Sequence, residues 1–404
     1  MAENAGTAAR PTGLLSVLAL PVAALRLAAG SFVPLALWFG AGAIPRYVLI
    51  QAISELGHGS EPGLRRVLVL VLLSVVVLIS LVVTIGMMFT LGRRLDAIKD
   101  PDEPYAAAIG RTLFPFVLIY LGWNLYTDDL REVLRADAQR LADAGDYLDV
   151  GKILNVSIPV ALVVAVVAWG LRVLAERRHE ARPGRVLAVL VAFLEVNFTL
   201  YALYSIVQLV RAAQRWVTGR VFWHALTGRL SPPDAGPVEQ ALVLPLVWLA
   251  IAAVVYGLER HDREAIEGTP LERLAARLTG RPRRLAELAG RGAREKYVPV
   301  AHAVRLVFRA GAPVFAWFCL CYVAIGALMD RVQRGVIALI GTDHTVRFWN
   351  LVLAPVEYGH RLVYEILRLA LLAAMFDLVM RRAGGGTPAP DRPAPVTGPG
   401  AGAA

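Results

Sequence analysis

Apolar runs of 19 to 25 residues recur along this chain, and that one feature restricts what it can fold into. About 20 apolar residues, rising roughly 1.5 Å each in a helix, cross a hydrocarbon core about 30 Å thick. The expected fold class is therefore all-α, a polytopic transmembrane helix bundle of about eight spans. Seven runs are clear, at residues 32–53, 67–91, 106–126, 153–175, 186–210, 238–258 and 310–328. An eighth, 356–380, carries Glu357, His360, Arg361, Glu365, Arg368 and Asp377 before ending on Arg381 and Arg382. A charge facing lipid near the bilayer centre costs about 2.5–3.5 kcal/mol on the insertion scale, so this run spans only if other helices shield it.

Composition agrees with a membrane protein. Only 18% of the residues are charged and the mean hydropathy is +0.55, whereas an average soluble domain is about 25% charged. Lys99, Lys152 and Lys296 are the only lysines among 42 basic residues. With abundant Ala, Gly, Pro and Val, that bias fits a GC-rich bacterial genome and makes a bacterial plasma membrane the expected location. Cys319 and Cys321 stand two apart in an apolar run, roughly 200° apart on a helix, and read as small core hydrophobes. The seven histidines are scattered singly, so neither a metal site nor a cofactor is expected.

The runs divide the chain into a cytoplasmic N-terminus (1–31), spans one to six (32–258), a basic cytoplasmic segment (259–309), spans seven and eight (310–382) and a tail (383–404). Residues 14–25 read as an interfacial amphipathic helix rather than a signal peptide, because Glu3 precedes them and Arg26 follows closely. Residues 214–230 and 271–288 read as further interfacial helices. In 259–309, 12 basic residues against 7 acidic ones predict contact with anionic lipid headgroups. Nucleic acid is not an expected partner there, since aromatics to stack bases are nearly absent. The Gly-, Pro- and Ala-rich tail should be disordered.

Basic residues set the orientation. With the N-terminus inside, the inner segments hold 24 of them and the outer segments 13, so both termini are expected in the cytoplasm. Residues 127–152, with Asp128, Asp129, Glu132, Asp137, Asp143, Asp146 and Asp149, read as an acidic outer loop. A parallel repeat is suggested by Arg26-Leu27, Pro34 and Trp38-Phe39, which recur at identical spacing as Arg305-Leu306, Pro313 and Trp317-Phe318.

No phosphate-binding loop, His-Glu-x-x-His, Cys-x-x-Cys or Gly-x-Ser-x-Gly occurs, leaving intramembrane charge as the functional signal. In the fifth run Asn197, Tyr201, Tyr204 and Gln208 share a helical face, while Glu195 points nearly the opposite way. They outline an ion or substrate path, or else Glu195 neutralises an arginine of another helix and the tyrosines bond helices together. In the eighth run Glu357, Arg361, Tyr364, Glu365 and Arg368 alternate in sign at i, i+3 and i, i+4 steps. Glu357 and Glu365 are candidates for local ion pairs, and Arg361 and Arg368 for contacts with an anionic headgroup. Pro34, Pro45, Pro115, Pro159, Pro245 and Pro313 lie within or at the start of runs and allow kinks.

These features suit a transporter-like or lipid-translocating protein. The alternatives are a membrane-embedded assembly protein with a protein partner or a second copy of itself, and a lipid-modifying enzyme. The enzyme would need several of Asp128, Asp129, Arg211, Arg215, Glu357, Arg361 and Glu365 at one membrane face.

Overall fold

A computed structural model describes residues 17–57, 62–95, 105, 109, 112–113, 116–117, 119–120, 125, 127–144, 158–181, 185–220, 239–256, 311–341 and 343–384. Among them the chain forms eight long helices and no strand: α1 Leu20–Leu56, α2 Pro62–Gly92, α3 Thr127–Ala144, α4 Ile158–Ala181, α5 Arg185–Thr218, α6 Leu244–Val255, α7 Ala312–Ile340 and α8 Val346–Gly384. A π-helical turn, Glu239–Val243, leads into α6. The expected all-α bundle is present, and its apolar helices make this a membrane-embedded protein.

Five helical segments are long and apolar enough to cross a bilayer: Leu20–Leu56, Val67–Gly92, Ile158–Arg178, Phe193–Thr218 and Ala312–Ile340. They correspond to the first, second, fourth, fifth and seventh runs of the sequence. The sixth run appears as the shorter apolar helix Ala241–Val255. The eighth is helical throughout as part of α8, but its charges keep it out of that set. Most of 106–126, all of 271–288 and the tail beyond 384 lie outside the described residues.

The core begins with α1 and α2, an antiparallel pair in unusually close contact. Gly86 of α2 lies under the Trp38 ring, which an added Cβ would meet at 2.9 Å, and Gly42 of α1 is similarly closed off by Val83. Small residues bring membrane helices together in this way, because dispersion contacts rather than water exclusion hold them. Leu20, Ala24, Ala28, Ser31 and Leu35 form a buried stripe, and the apolar members join one cluster with Leu81, Ile85, Met88 and Leu91 of α2. Of the expected interfacial helix at 14–25, residues 14–16 lie outside the described residues. From Leu20 onward its residues belong to a continuous 37-residue α1, which passes through Pro34 and Pro45 without breaking. Tolerance of proline is expected where neighbouring helices meet the freed backbone groups.

The expected interfacial helix at 214–230 is likewise α5 itself as far as Thr218; residues 221–230 lie outside the described residues. Nor do the two copies of the suggested repeat share a setting. Pro34 sits inside α1, whereas Pro313 starts α7 just after Gly311, whose φ of +96° suits glycine. A second glycine with positive φ, Gly341, ends α7 and turns the chain into α8.

The largest departure from expectation concerns residues 127–144. Instead of a solvated outer loop they form α3, with Asp129, Val133, Asp137 and Leu141 all buried. These lie four apart, one face of a helix. Val133 joins Ile50 and Ile53 of α1 and Val69, Leu73 and Val76 of α2 in a second apolar cluster. Further along, the Arg140 guanidinium donates to the Ser54 carbonyl. The acidic segment is thus held against two apolar helices by one apolar stripe and its own charges.

Candidate functional site: a charge network at mid-depth

Ser80 lies close to the centre of the 26-residue apolar stretch of α2, and its hydroxyl donates to Asp129 Oδ1 at 3.1 Å. This bond sets the depth of the site. Asp129 is in the first turn of α3, where the partial positive charge of the helix N-terminus favours a carboxylate. Its side chain is only 4% exposed. The Tyr120 hydroxyl donates to Oδ2 at 2.8 Å, and Arg46 Nη2 of α1 donates to Oδ1 at 2.7 Å. Taking such a carboxylate out of water costs several kcal/mol, so a paired cation and further donors are needed to hold it charged.

From Arg46 the network spreads to α8. The same Nη2 donates at 2.7 Å to Glu132 Oε2, an oxygen that Arg361 Nη1 also approaches at 2.9 Å. Glu357 lies between Arg361, at 3.9 Å, and Arg135 of α3, at 3.6 Å. One turn further along α8, Glu365 accepts a bond from Arg368 Nη2. Asp129, Glu132, Glu357 and Glu365 therefore face Arg46, Arg135, Arg361 and Arg368, four carboxylates against four guanidiniums. Among the described residues these four pairs of opposite charge join three helices.

Arg368 has a different setting from the other arginines. Its guanidinium carbon lies 3.9 Å from the centre of the Trp248 ring of α6 and 5.6 Å from that of Tyr364, a desolvated cation–π contact. Trp248 in turn meets Phe116 edge-on, with ring centres 6.2 Å apart. The aromatic groups around Arg368 thus link α6 and α8 to the segment that carries Tyr120.

Glu357, Arg361, Glu365 and Arg368, singled out in the sequence, are all brought into this network. The other candidates lie elsewhere. Glu195 of α5 is 3.5 Å from Arg172 of α4, which also reaches Glu176 at 3.9 Å. Asn197 is buried, accepts from the Ser74 hydroxyl at 2.8 Å and donates to the Phe193 carbonyl at 3.0 Å. Tyr201, also buried, donates to the Leu70 carbonyl. These bonds fasten the α4–α5 pair to α2. Tyr204 and Gln208 are half-buried, and Arg211 and Arg215 are exposed at the end of α5. Of the residues an enzyme would need, Asp129, Glu357, Arg361 and Glu365 share the network, at mid-depth.

Sequence reasoning passed over Arg46 and left Asp129 and Glu132 in a loop. Two signals pointed to them: a lone arginine inside an apolar run, and acidic residues on an amphipathic repeat over 127–144.

The chain matches no family model, no curated protein and no solved structure. Its site has to be interpreted from its own geometry.

Proposed function

We propose that this chain is a transporter-like membrane protein in which Asp129 takes up and releases a proton as helices α1, α3 and α8 rearrange. The observation that carries this reading is that Arg46 holds two carboxylates at once, Asp129 and Glu132, each at 2.7 Å. Protonation of Asp129 would leave Arg46 paired with Glu132, so no buried cation is stranded, and Tyr120 and Ser80 can still bond to the neutral acid. Glu132 can similarly pass between Arg46 and Arg361, which loosens α1 from α8 without exposing a bare charge. Intramembrane carboxylates with exchangeable partners are the working parts of proton relays. The bacterial plasma membrane as location, cytoplasmic termini and anionic lipid at 259–309 belong to the same proposal, on the distribution of arginine.

The test is charge displacement across reconstituted membranes. Proteoliposomes on a solid support would receive concentration jumps of protons and of small anions, cations and neutral solutes. The expected result is a current that depends on pH and falls about a hundredfold or more in Asp129→Asn, the scale of a lost general acid–base group. Absence of current for every jump, in a protein that remains folded, would overturn the reading.

A second reading, an assembly protein, is favoured by one observation. The helix ends on either side of the α7–α8 turn expose Leu339 at 88% and Leu351 at 76%, apolar side chains that a second protein could cover. A stoichiometric protein partner that survives gentle extraction and appears in native mass spectrometry would support it.

A further inference from the structure

α7 carries charge on the face it turns away from the bundle. Its buried side holds Val314, Phe318, Tyr322 and Met329. At about 100° per residue, the opposite side lines up Ala316, Leu320, Ala327 and Ala338, all exposed. Asp330 and Arg331 flank that stripe, one on each side, and both are exposed. Neighbours in sequence do not face each other on a helix, and among the described residues neither side chain has an ion-pair partner. Arg334, one turn on, bends back along its own helix, where its Nε donates to the Asp330 carbonyl at 3.2 Å.

Tyr322 lies beside Tyr364 and Arg368, at the level of the charge network. Asp330 and Arg331 come eight and nine residues later, about 12 to 14 Å at the helical rise, just inside the edge of a hydrocarbon core about 30 Å thick. Apolar residues 336–340 follow before α7 ends. A charge facing lipid at that depth needs a counter-charge.

The face is its own complement. Two copies inserted in the same direction are related by an axis along the membrane normal, so their α7 helices run parallel and like residues sit at equal depth. A two-fold axis brings opposite flanks of the two helices together, which sets Asp330 of each copy against Arg331 of the other. The alanines between them allow close approach. An anionic lipid headgroup would suit Arg331 but repel Asp330.

We infer that the exposed face of α7 is the interface of a two-fold dimer of this chain, closed by two reciprocal Asp330–Arg331 ion pairs. The inference does not rest on proton movement at Asp129.

The full chain, carrying one fluorophore, is reconstituted in phosphatidylcholine liposomes over a range of lipid dilutions, and dimers are counted by single-molecule photobleaching. A dilution-dependent dimer is expected. Asp330→Arg and Arg331→Asp each set like charges across the seam and should move the midpoint about tenfold or more toward monomer. Asp330→Arg combined with Arg331→Asp restores the complement and should return the midpoint to its starting value, which neither misfolding nor a lipid contact would do. In a background with Cys319 and Cys321 replaced by alanine, Ala327→Cys should form an intermolecular disulfide on oxidation. Val332→Cys, about 140° round the helix from it, should not. A chain that stays monomeric at every dilution, whether lipid or another protein covers the face, would overturn the inference. So would a dimer indifferent to both charge reversals, or one that the double exchange does not recover.

Discussion

Replacing Arg46 with alanine would leave Asp129 in the bundle with only Ser80 and Tyr120 as partners. Breaking a buried pair in this way costs about 3–5 kcal/mol, because the remaining charge stays desolvated. Arg361 lies on the wetter side of the network, with its side chain 37% exposed, and its loss should cost about 1 kcal/mol or less. Thermal unfolding in detergent should therefore rank Arg46→Ala well below Arg361→Ala. Equal midpoints would show that the network is hydrated throughout. At this scale the sequence revealed pairs along one helix, since Glu357–Arg361 and Glu365–Arg368 are spaced four and three apart. Arg46–Asp129 was illegible because 82 residues separate the partners, and neither helical periodicity nor composition says which loop folds back.

Apolar length is what made the individual elements readable. The run at 67–91 matches the apolar stretch Val67–Gly92 of α2, because uninterrupted apolar sequence in lipid has little choice but helix. α3 was missed for the complementary reason. Its 18 residues are too polar to read as a span, and only the buried positions four apart reveal a face. The α1–α2 seam gives an element-level prediction. Gly86→Leu would drive a side chain into Trp38, and overpacking of this kind costs about 1–3 kcal/mol. The same change at Gly170, where an added Cβ meets nothing within 4 Å, should be neutral in a thermal-shift comparison. The bonds that fasten α5 to α2 are weaker. A Ser74–Asn197 double-mutant cycle should give about 0.6 kcal/mol, the usual size of a polar contact between membrane helices. A coupling near zero would mean that packing alone holds the pair.

Over the whole molecule, α8 is 39 residues long, about 58 Å at the helical rise, and so exceeds the hydrocarbon thickness. Its start near Leu351 and its end near Arg382 should lie on opposite sides of the bilayer. In a background with Cys319 and Cys321 replaced by alanine, Leu351→Cys and Arg382→Cys should react with an impermeant maleimide from opposite faces of sealed vesicles. Labelling of both from one side would rule out α8 as a span. α3 has a consequence for biogenesis. An insertion machinery that sorts segments by hydrophobicity would leave so acidic a helix in water, and nothing made before it supplies the whole of its seat. Arg46 emerges before α3, but Arg361 belongs to α8, which is made after it. The apolar seat of α3 on α1 and α2 is made before it, so α3 docks there first and its ion pairs with α8 close last. A nascent chain stalled before residue 346 should already shield position 133 from aqueous reagents while leaving position 135 open to them.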